Sequence, residues 1–159
     1  MQRRTAVAYH PDILLHISGM SHPESPDRLA SVAKRLKESF KRHELDWLDI
    51  KPAPRTLVEK NHSDVYIKSI DTFSEICSFK QIDQDTLACA SSGYAAYLAV
   101  GSIIGAIDFV MNHTSANAFC AVRPPGHHAE FDHAMGFCFF NTVAIGAHYA
   151  IEKYTLNRV

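Results

Sequence analysis

Two adjacent histidines, His127 and His128, are the residues of this chain best suited to proton transfer. They belong to the stretch RPPGHHAEFDHAMGFCFFN at 123–141, in which two prolines and a glycine precede them. A neutral imidazole, whose unperturbed pKa is about 6.5, can accept and return a proton at neutral pH. Two imidazoles in one cleft can divide base and acid roles, because a proton on one disfavours a proton on the other. The prolines would limit the freedom of the loop and help to hold both rings in place.

Spacing alone leaves two other interpretations of these histidines open. They could be incidental residues of a surface loop, or core histidines bonded to carbonyl groups. They could also form a metal cluster with Glu130, Asp132 and His133. Successive side chains of an extended segment point to opposite sides, so adjacent histidines make an awkward chelate, and these spacings match no standard zinc signature.

The elements that must position the pair alternate between strands and helices. Residues 5–9 predict a short strand, and the apolar run AFCAV at 118–122 predicts a buried parallel strand that ends where the histidine stretch begins. In open α/β sheets, ligands bind beyond the carboxyl ends of the strands. We therefore expect the chemistry at the junction between this strand and the RPPGHH turn.

Capping residues and apolar spacing indicate four helices. Ser63 predicts the N-cap of one helix, residues 88–111 predict a second, and Asn141 predicts the N-cap of a third. Ser25 as N-cap, with proline in the first helical position, predicts the helix nearest the N-terminus. Its apolar face would consist of Leu29, Val32, Ala33, Leu36 and Phe40.

Two of these helices carry more specific expectations. Gly101 and Gly105 lie one turn apart and would let another element approach closely, at a cost near 1 kcal/mol per glycine. Residues 155–159 resemble the lead-in to another strand. The last helix would present one apolar face made of Val143, Ala147, Ala150, Ile151 and Tyr154.

Bulk composition limits the classes of function. With 159 residues, 47% hydrophobic, 21% charged and a net charge of -1, the chain fits one globular domain and excludes a disordered or polyanion-binding protein. We expect no direct binding of nucleic acid. Four widely spaced cysteines without a C-x-x-C pair indicate reduced thiols and a cytoplasmic protein, and the start of the chain lacks the apolar stretch of a signal peptide.

Membrane association is not expected either, although residues 86–107 carry no charge and are long enough to span a bilayer. This segment consists largely of alanine, serine and glycine with two tyrosines, and it has no basic flank. Such a composition favours a buried helix.

Several motifs together resemble the zinc-dependent histone deacetylase family, closest to its class II and bacterial members. They are RPPGHHAE at 123–130, GFCFFN at 136–141, HPESPDRL at 22–29 and DQDT at 83–86, in the order of the family. Acetylpolyamine amidohydrolases and acetoin-utilisation proteins share the pattern. The resemblance implies an α/β fold, in three layers with a mostly parallel sheet, of which residues 1–159 would form the N-terminal part of a single domain.

The resemblance also implies roles for individual residues. His128 matches the position usually assigned as general base, and His127 its electrostatic or proton-donating partner. Asp85 matches a rim carboxylate that accepts hydrogen bonds from the substrate backbone, and Arg28 matches an arginine at the floor of an inner cavity. Three positions match the tunnel for the acyl-lysine chain or its surroundings: Gly136, Phe137 and Cys138.

The chain departs from the family pattern in the residues that bind the metal. The Asp-x-His pair, a later aspartate and a carbonyl-polarising tyrosine have no counterpart, and the chain stops before the strand expected to carry that pair. Zinc lowers the pKa of bound water from about 15.7 to about 7, whereas a general base contributes only about 10²–10⁴-fold. We therefore expect zinc in the complete protein, none held by this chain alone, and no hydrolysis by the chain alone.

The expected substrate is an acetylated lysine of a protein such as a histone, or an acetylated polyamine. Half of a parallel sheet would expose an edge and an apolar helix face, so the expected partner is the missing C-terminal half or a second chain. The alternative hypothesis is a non-catalytic module that keeps the fold and binds acyl-lysine.

Overall fold

Short strands and five α-helices alternate along the chain, whose computed structural model describes residues 4–19, 22–41, 43–114 and 116–159. Residues 1–3, which belong to the start of the chain where the sequence predicts no signal peptide, lie outside the described residues. The strands are β1 (Thr5–Ala8), β2 (Asp46–Leu48), β3 (Lys80–Gln81), β4 (Leu87–Ala88) and β5 (Asn117–Cys120). The α-helices are α1 (Pro26–Ser39), α2 (Arg55–Val58), α3 (Asp64–Asp71), α4 (Ser92–Asn112) and α5 (Thr142–Tyr154), and 3-10 helices cover Pro11–Leu15 and Thr72–Glu75.

A parallel sheet in the order β2-β1-β5 forms the centre of the fold. Val7 of β1 lies opposite Trp47 on one side and Phe119 on the other. A separate antiparallel pair joins β3 to β4. The parallel sheet and its helices confirm the predicted α/β class.

Three of the predicted helix starts are confirmed by the structure. α1 begins after Ser25, although that side chain makes no capping hydrogen bond. Ser63 Oγ accepts a hydrogen bond from the Tyr66 N–H at 3.2 Å at the start of α3. Asn141 Oδ1 accepts one from the Ala144 N–H at 3.0 Å at the start of α5. Side-chain acceptors of this kind satisfy N–H groups that the first helical turn leaves free.

The predicted helix at 88–111 is α4, which packs against β1, β5 and α5. A Cβ atom at Gly101 would clash with the carbonyl oxygen of Lys51, whereas one at Gly105 would lie 3.3 Å from the end of the Ile50 side chain. Close approach is therefore confirmed and is tightest at Gly101. Within the described part of the chain, α4 is the helix that is long and apolar enough to cross a membrane. Length and composition are the criteria here, and buried core helices also meet them.

The predicted burial of the strand at 118–122 is wrong. β5 is parallel to β1, as expected, but most of its residues are only partly buried, and Phe119 is 48% exposed. The reason is its place in the sheet: among the residues that the structure describes, β5 is an edge strand and pairs only with β1.

The predicted apolar faces of the first and last helices need correction as well. Val32 and Phe40 of the α1 region are exposed, because that helix packs mainly on the 3-10 helix Pro11–Leu15. In α5, Val143 is 60% exposed, whereas Gly146 contacts α4 so closely that a Cβ atom there would lie 2.6 Å from Ile103 Cγ2. Residues 155–159 form no strand.

Candidate functional site

A turn fixed to the start of α5 presents the two histidines. Beyond β5 the chain passes through a cis peptide bond between Arg123 and Pro124. The carbonyl oxygen of Gly126 accepts hydrogen bonds from Thr142 Oγ1 at 3.2 Å and from the Val143 N–H at 3.1 Å. A Cβ atom at position 126 would lie 2.6 Å from Thr142 Cγ2, so this close contact requires glycine.

His127 and His128 lie side by side at the mouth of a cavity. Their ring centroids are 4.3 Å apart, with the planes inclined at 53°, and both residues are exposed. They line a cavity of about 660 Å³ that lies beyond the carboxyl end of β5. The interpretation as core histidines therefore does not hold for either residue.

Four other residues implied by the family resemblance line the same cavity: Arg28, Asp85, Gly136 and Phe137. Gly136 and Phe137 both have left-handed backbones, with φ of 55° and 67°. The Phe137 N–H donates a hydrogen bond to Thr86 Oγ1 at 3.1 Å, and its ring meets the His22 ring edge-on at a centroid distance of 4.6 Å. Three segments distant in sequence thus form one wall of the cavity.

Asp85 lies exposed at the rim of this cavity, in the turn between β3 and β4. Asp83 Oδ1 shapes the turn, accepting the N–H groups of Asp85 at 2.9 Å and Thr86 at 2.7 Å. Partial burial alone would raise the pKa of Asp83, but these hydrogen bonds outweigh it and lower the pKa. His22 Nε2 donates to the Asp85 carbonyl oxygen at 3.0 Å, which connects the rim to the segment before α1.

Arg28 lines the cavity, whereas Cys138 does not. Arg28 is exposed on α1 and lines both the large cavity and a neighbouring one of about 320 Å³. Cys138 is completely buried, donates a hydrogen bond from Sγ to the Gly136 carbonyl oxygen at 3.4 Å, and is not among the described residues that line the large cavity. The structure therefore brings together the predicted residues except Cys138, which lies behind the wall.

Sequence reasoning missed a buried ion pair beneath the site. Arg123 Nε and Nη2 donate to Glu24 Oε1 and Oε2, both at 2.7 Å, and Nη1 donates to the backbone carbonyl of His16. Burial alone would raise the pKa of Glu24, but hydrogen bonds from His16 and Arg123 outweigh it and lower the pKa to about 2. Ser18 Oγ also donates to Glu24, at 3.0 Å. Both partners belong to motifs visible in the sequence, Glu24 to HPESPDRL and Arg123 to RPPGHH, but neither motif indicates that the two residues form an ion pair.

The described residues do not fit a zinc site. No group of three or more histidine, cysteine or acidic side chains among residues 4–19, 22–41, 43–114 and 116–159 has the arrangement needed to hold a metal ion. The carboxylates of Glu130 and Asp132 lie 3.6 and 2.8 Å from the ring nitrogens of His133, and all three residues are exposed. The cluster considered from the spacing is therefore not assembled among the described residues.

Comparison with known proteins agrees with the motifs. Residues 22–159 match the family profile described as the histone deacetylase domain. The chain is 36% identical to an uncharacterised protein of Synechocystis sp., over 97% of this chain and 51% of that protein. It is 30% identical to the polyamine deacetylase HDAC10 of Danio rerio, over 86% of this chain and 21% of that protein.

A solved structure shows the same fold. The crystal structure of the HDA15 HD domain superimposes with a TM-score of 0.86 at 30% identity, covering 96% of this chain and 44% of that one. The chain thus spans about half the length, or less, of these relatives. The profile match covers most of the chain, and the predicted resemblance is confirmed: the chain belongs to the histone deacetylase family.

Proposed function

We propose that the protein to which this chain belongs hydrolyses acyl-amide bonds, removing acetyl groups from lysine side chains of proteins such as histones or from polyamines. The observation that carries the proposal is the pairing of His127 and His128, 4.3 Å apart, in one cavity with Asp85, Gly136 and Phe137. Family membership supports deacetylation as the reaction.

Each of the six predicted residues that line the cavity would have a role in the reaction or in substrate binding. His128 takes a proton from the attacking water, and His127 steadies the developing charge or returns a proton to the leaving amine. Phe137 and Gly136 border the space for the apolar acyl-lysine chain. The Asp85 carboxylate, exposed at the rim, accepts hydrogen bonds from the substrate backbone. Arg28, between the two cavities, offers a cation to the acetate product.

The family is generally zinc-dependent, and we propose zinc as the cofactor of the complete protein. Because the described residues do not form a zinc site, the metal ligands are assigned to the remaining half of the family domain. Cys138 belongs in the proposal only as support for the cavity wall, since its thiol is buried.

The edge of the sheet supports a partner for this chain. Beside β5 lies an apolar groove of about 310 Å³ between α4, β5 and α5. A parallel strand with its edge unpaired offers N–H and C=O groups to another strand. We propose that the rest of the family domain, in the same chain or as a second chain, supplies that strand. Residues bordering the groove include Ile107, Val110, Met111, Ala118 and Val159.

Location in the cytoplasm is part of the proposal. All four cysteines are free thiols, which supports a reducing compartment. No binding of nucleic acid and no membrane insertion are proposed, in keeping with the near-neutral charge and with the packing of α4 inside the fold.

Single substitutions in the complete protein test the proposed reaction. We expect His128→Ala to lower kcat/KM for an acetyl-lysine peptide by about 10²–10⁴-fold. His133→Ala is the matched control, because His133 lies exposed on the same segment and pairs with Asp132 rather than lining the cavity. Equal activity of the His128→Ala and His133→Ala variants would rule out the proposed role. Acetylated polyamines assayed in parallel identify the substrate class.

The second candidate function is binding of acyl-lysine without hydrolysis. It is favoured by a cavity that the described residues form without a metal site. For the 159-residue chain alone we expect binding at most and no turnover. Chelator-sensitive deacetylation by this chain would contradict that expectation, and binding without turnover by the complete protein would favour the second candidate.

A further inference from the structure

His62 connects the two ends of the segment that follows the histidine pair. It is 2% exposed and lies just before the N-cap of α3. Its Nε2 accepts a hydrogen bond from the backbone N–H of Asn141 at 2.9 Å. Because Nε2 acts as an acceptor, a neutral ring must carry its proton on Nδ1. Nδ1 faces the backbone of Glu130 and Phe131 without a hydrogen bond of good geometry.

The Asn141 side chain extends this connection in two directions. Its Nδ2 donates to the carbonyl oxygen of Ala129, the residue after His128, at 3.1 Å. Its Oδ1 accepts from the Ala144 N–H in the first turn of α5. His62 therefore holds the residue that joins the end of the histidine turn to a helix.

The surroundings of His62 keep its ring neutral and fixed. Tyr66 and Phe140 pack on it, each with a centroid distance of 5.5 Å. Burial lowers the pKa of His62, and the nearby carbonyls of Glu130 and Phe131 oppose this only in part. Tyr66 is the titratable side chain against the ring, and burial raises its pKa, so it stays neutral. The Glu130 carboxylate is exposed and lies near His133.

We propose that His62 is a positioning residue: its neutral Nδ1–H ring holds Asn141 and thereby fixes the 129–141 segment and the orientation of the histidine pair. A proton on Nε2 would turn this acceptor into a donor that faces the Asn141 N–H. The importance of His62 for catalysis rests on the proposed function. The tautomer of His62 and its hydrogen bond with Asn141 are independent of that function.

The first test measures the ring itself. In NMR spectra of the 15N-histidine-labelled complete protein, we expect His62 as the Nδ1–H tautomer at pH 7, with an unprotonated Nε2. A proton on Nε2 at this pH would overturn the proposal, whatever the variants do.

The second test compares two substitutions. His62→Phe keeps an aromatic ring without an acceptor, whereas His62→Gln offers an amide oxygen that can accept from Asn141 and does not titrate. We expect the hydrogen-exchange protection of the Asn141 amide to fall about tenfold in His62→Phe and to be largely restored in His62→Gln. The ring signals of His127 and His128 should shift in the first variant and return toward their original positions in the second.

His148→Gln, an exposed histidine on α5, is the matched control. Equal losses in the His62→Phe and His62→Gln variants would assign His62 a packing role only and overturn the proposal. An inactive complete protein would count against the proposed function, while these NMR results would still decide the role of His62.

Discussion

The His128 ring lies so close to Gly136 that no side chain fits between them. A Cβ atom at position 136 would lie 2.7 Å from His128 Cδ2 and 2.9 Å from Cγ. Gly136 also has a φ of 55°, a conformation that residues with a Cβ atom adopt at a cost. The backbone at Gly136 therefore sets the position of the His128 ring.

Substitution of Gly136 by alanine should displace that ring. We expect Gly136→Ala to lower kcat/KM of the complete protein by about 10²-fold, because displacements near 1 Å can cost that much. The chemical shifts of the His128 ring report the displacement independently. Gly105→Ala, in α4, should leave both readouts unchanged, and unaltered activity of Gly136→Ala would show that the contact tolerates a methyl group.

Gly101 and Gly105, two of the three glycines of α4, should respond in opposite ways to alanine. Alanine gains about 1 kcal/mol of helix propensity over glycine. At Gly105 this gain should remain, since the nearest atom belongs to the flexible end of Ile50. At Gly101 the methyl group would collide with the rigid backbone of Lys51, and we expect a net destabilisation of about 1–3 kcal/mol. Urea unfolding of both variants checks the difference, and equal stabilities would contradict it.

Removing one charge of the buried ion pair should be costly. Glu24→Gln leaves the Arg123 guanidinium buried without its counter-charge, and we expect the free energy of unfolding to fall by about 3–5 kcal/mol. Glu38→Gln is the control, because Glu38 pairs with Lys34 on the exposed face of α1 at 3.8 Å. That variant should change stability by less than about 1 kcal/mol. Similar urea midpoints for the two variants would refute the importance of the buried pair.

The same pair predicts a loss of stability in acid. The pKa of Glu24 is about 2 in the folded chain and 4.5 ordinarily. In this range the unfolded state binds the proton first, so acid favours unfolding. The contribution is complete above about pH 4.5 and is lost as the pH falls toward 2. The stability difference between the original chain and Glu24→Gln should therefore narrow over this interval, and a constant difference would contradict the assignment.

Local signals in the sequence predicted most of the helices. Ser63 and Asn141 are confirmed as caps because capping depends on residues within one turn. The burial of β5 and the packing face of α5 depend on neighbours distant in sequence. The burial predicted for β5 is wrong, and the face predicted for α5 is correct only in part, since Ala150 is buried but Val143 is exposed. β2, with only Asp46–Leu48, was not predicted, because three residues give too short a pattern.

The residues of the candidate site that carry chemically informative side chains or belong to family motifs could be predicted from the sequence, whereas the buried residues that support them could not. The histidine pair and the family motifs identified six residues that now line one cavity. Arg123 was missed, since an arginine is ordinarily a surface residue and its burial depends on Glu24. His62 was missed for a similar reason, because its hydrogen bond reaches Asn141, which is 79 residues away in the sequence.

The distance in sequence between Glu24 and Arg123 bears on how the chain folds. The partners are 99 residues apart, and neither charge can leave water favourably before the other arrives. The Glu24–Arg123 ion pair should therefore form late in folding, after the transition state has been crossed. Loss of the pair would then mainly accelerate unfolding and leave the refolding rate almost unchanged, so the pair prolongs the lifetime of the native state.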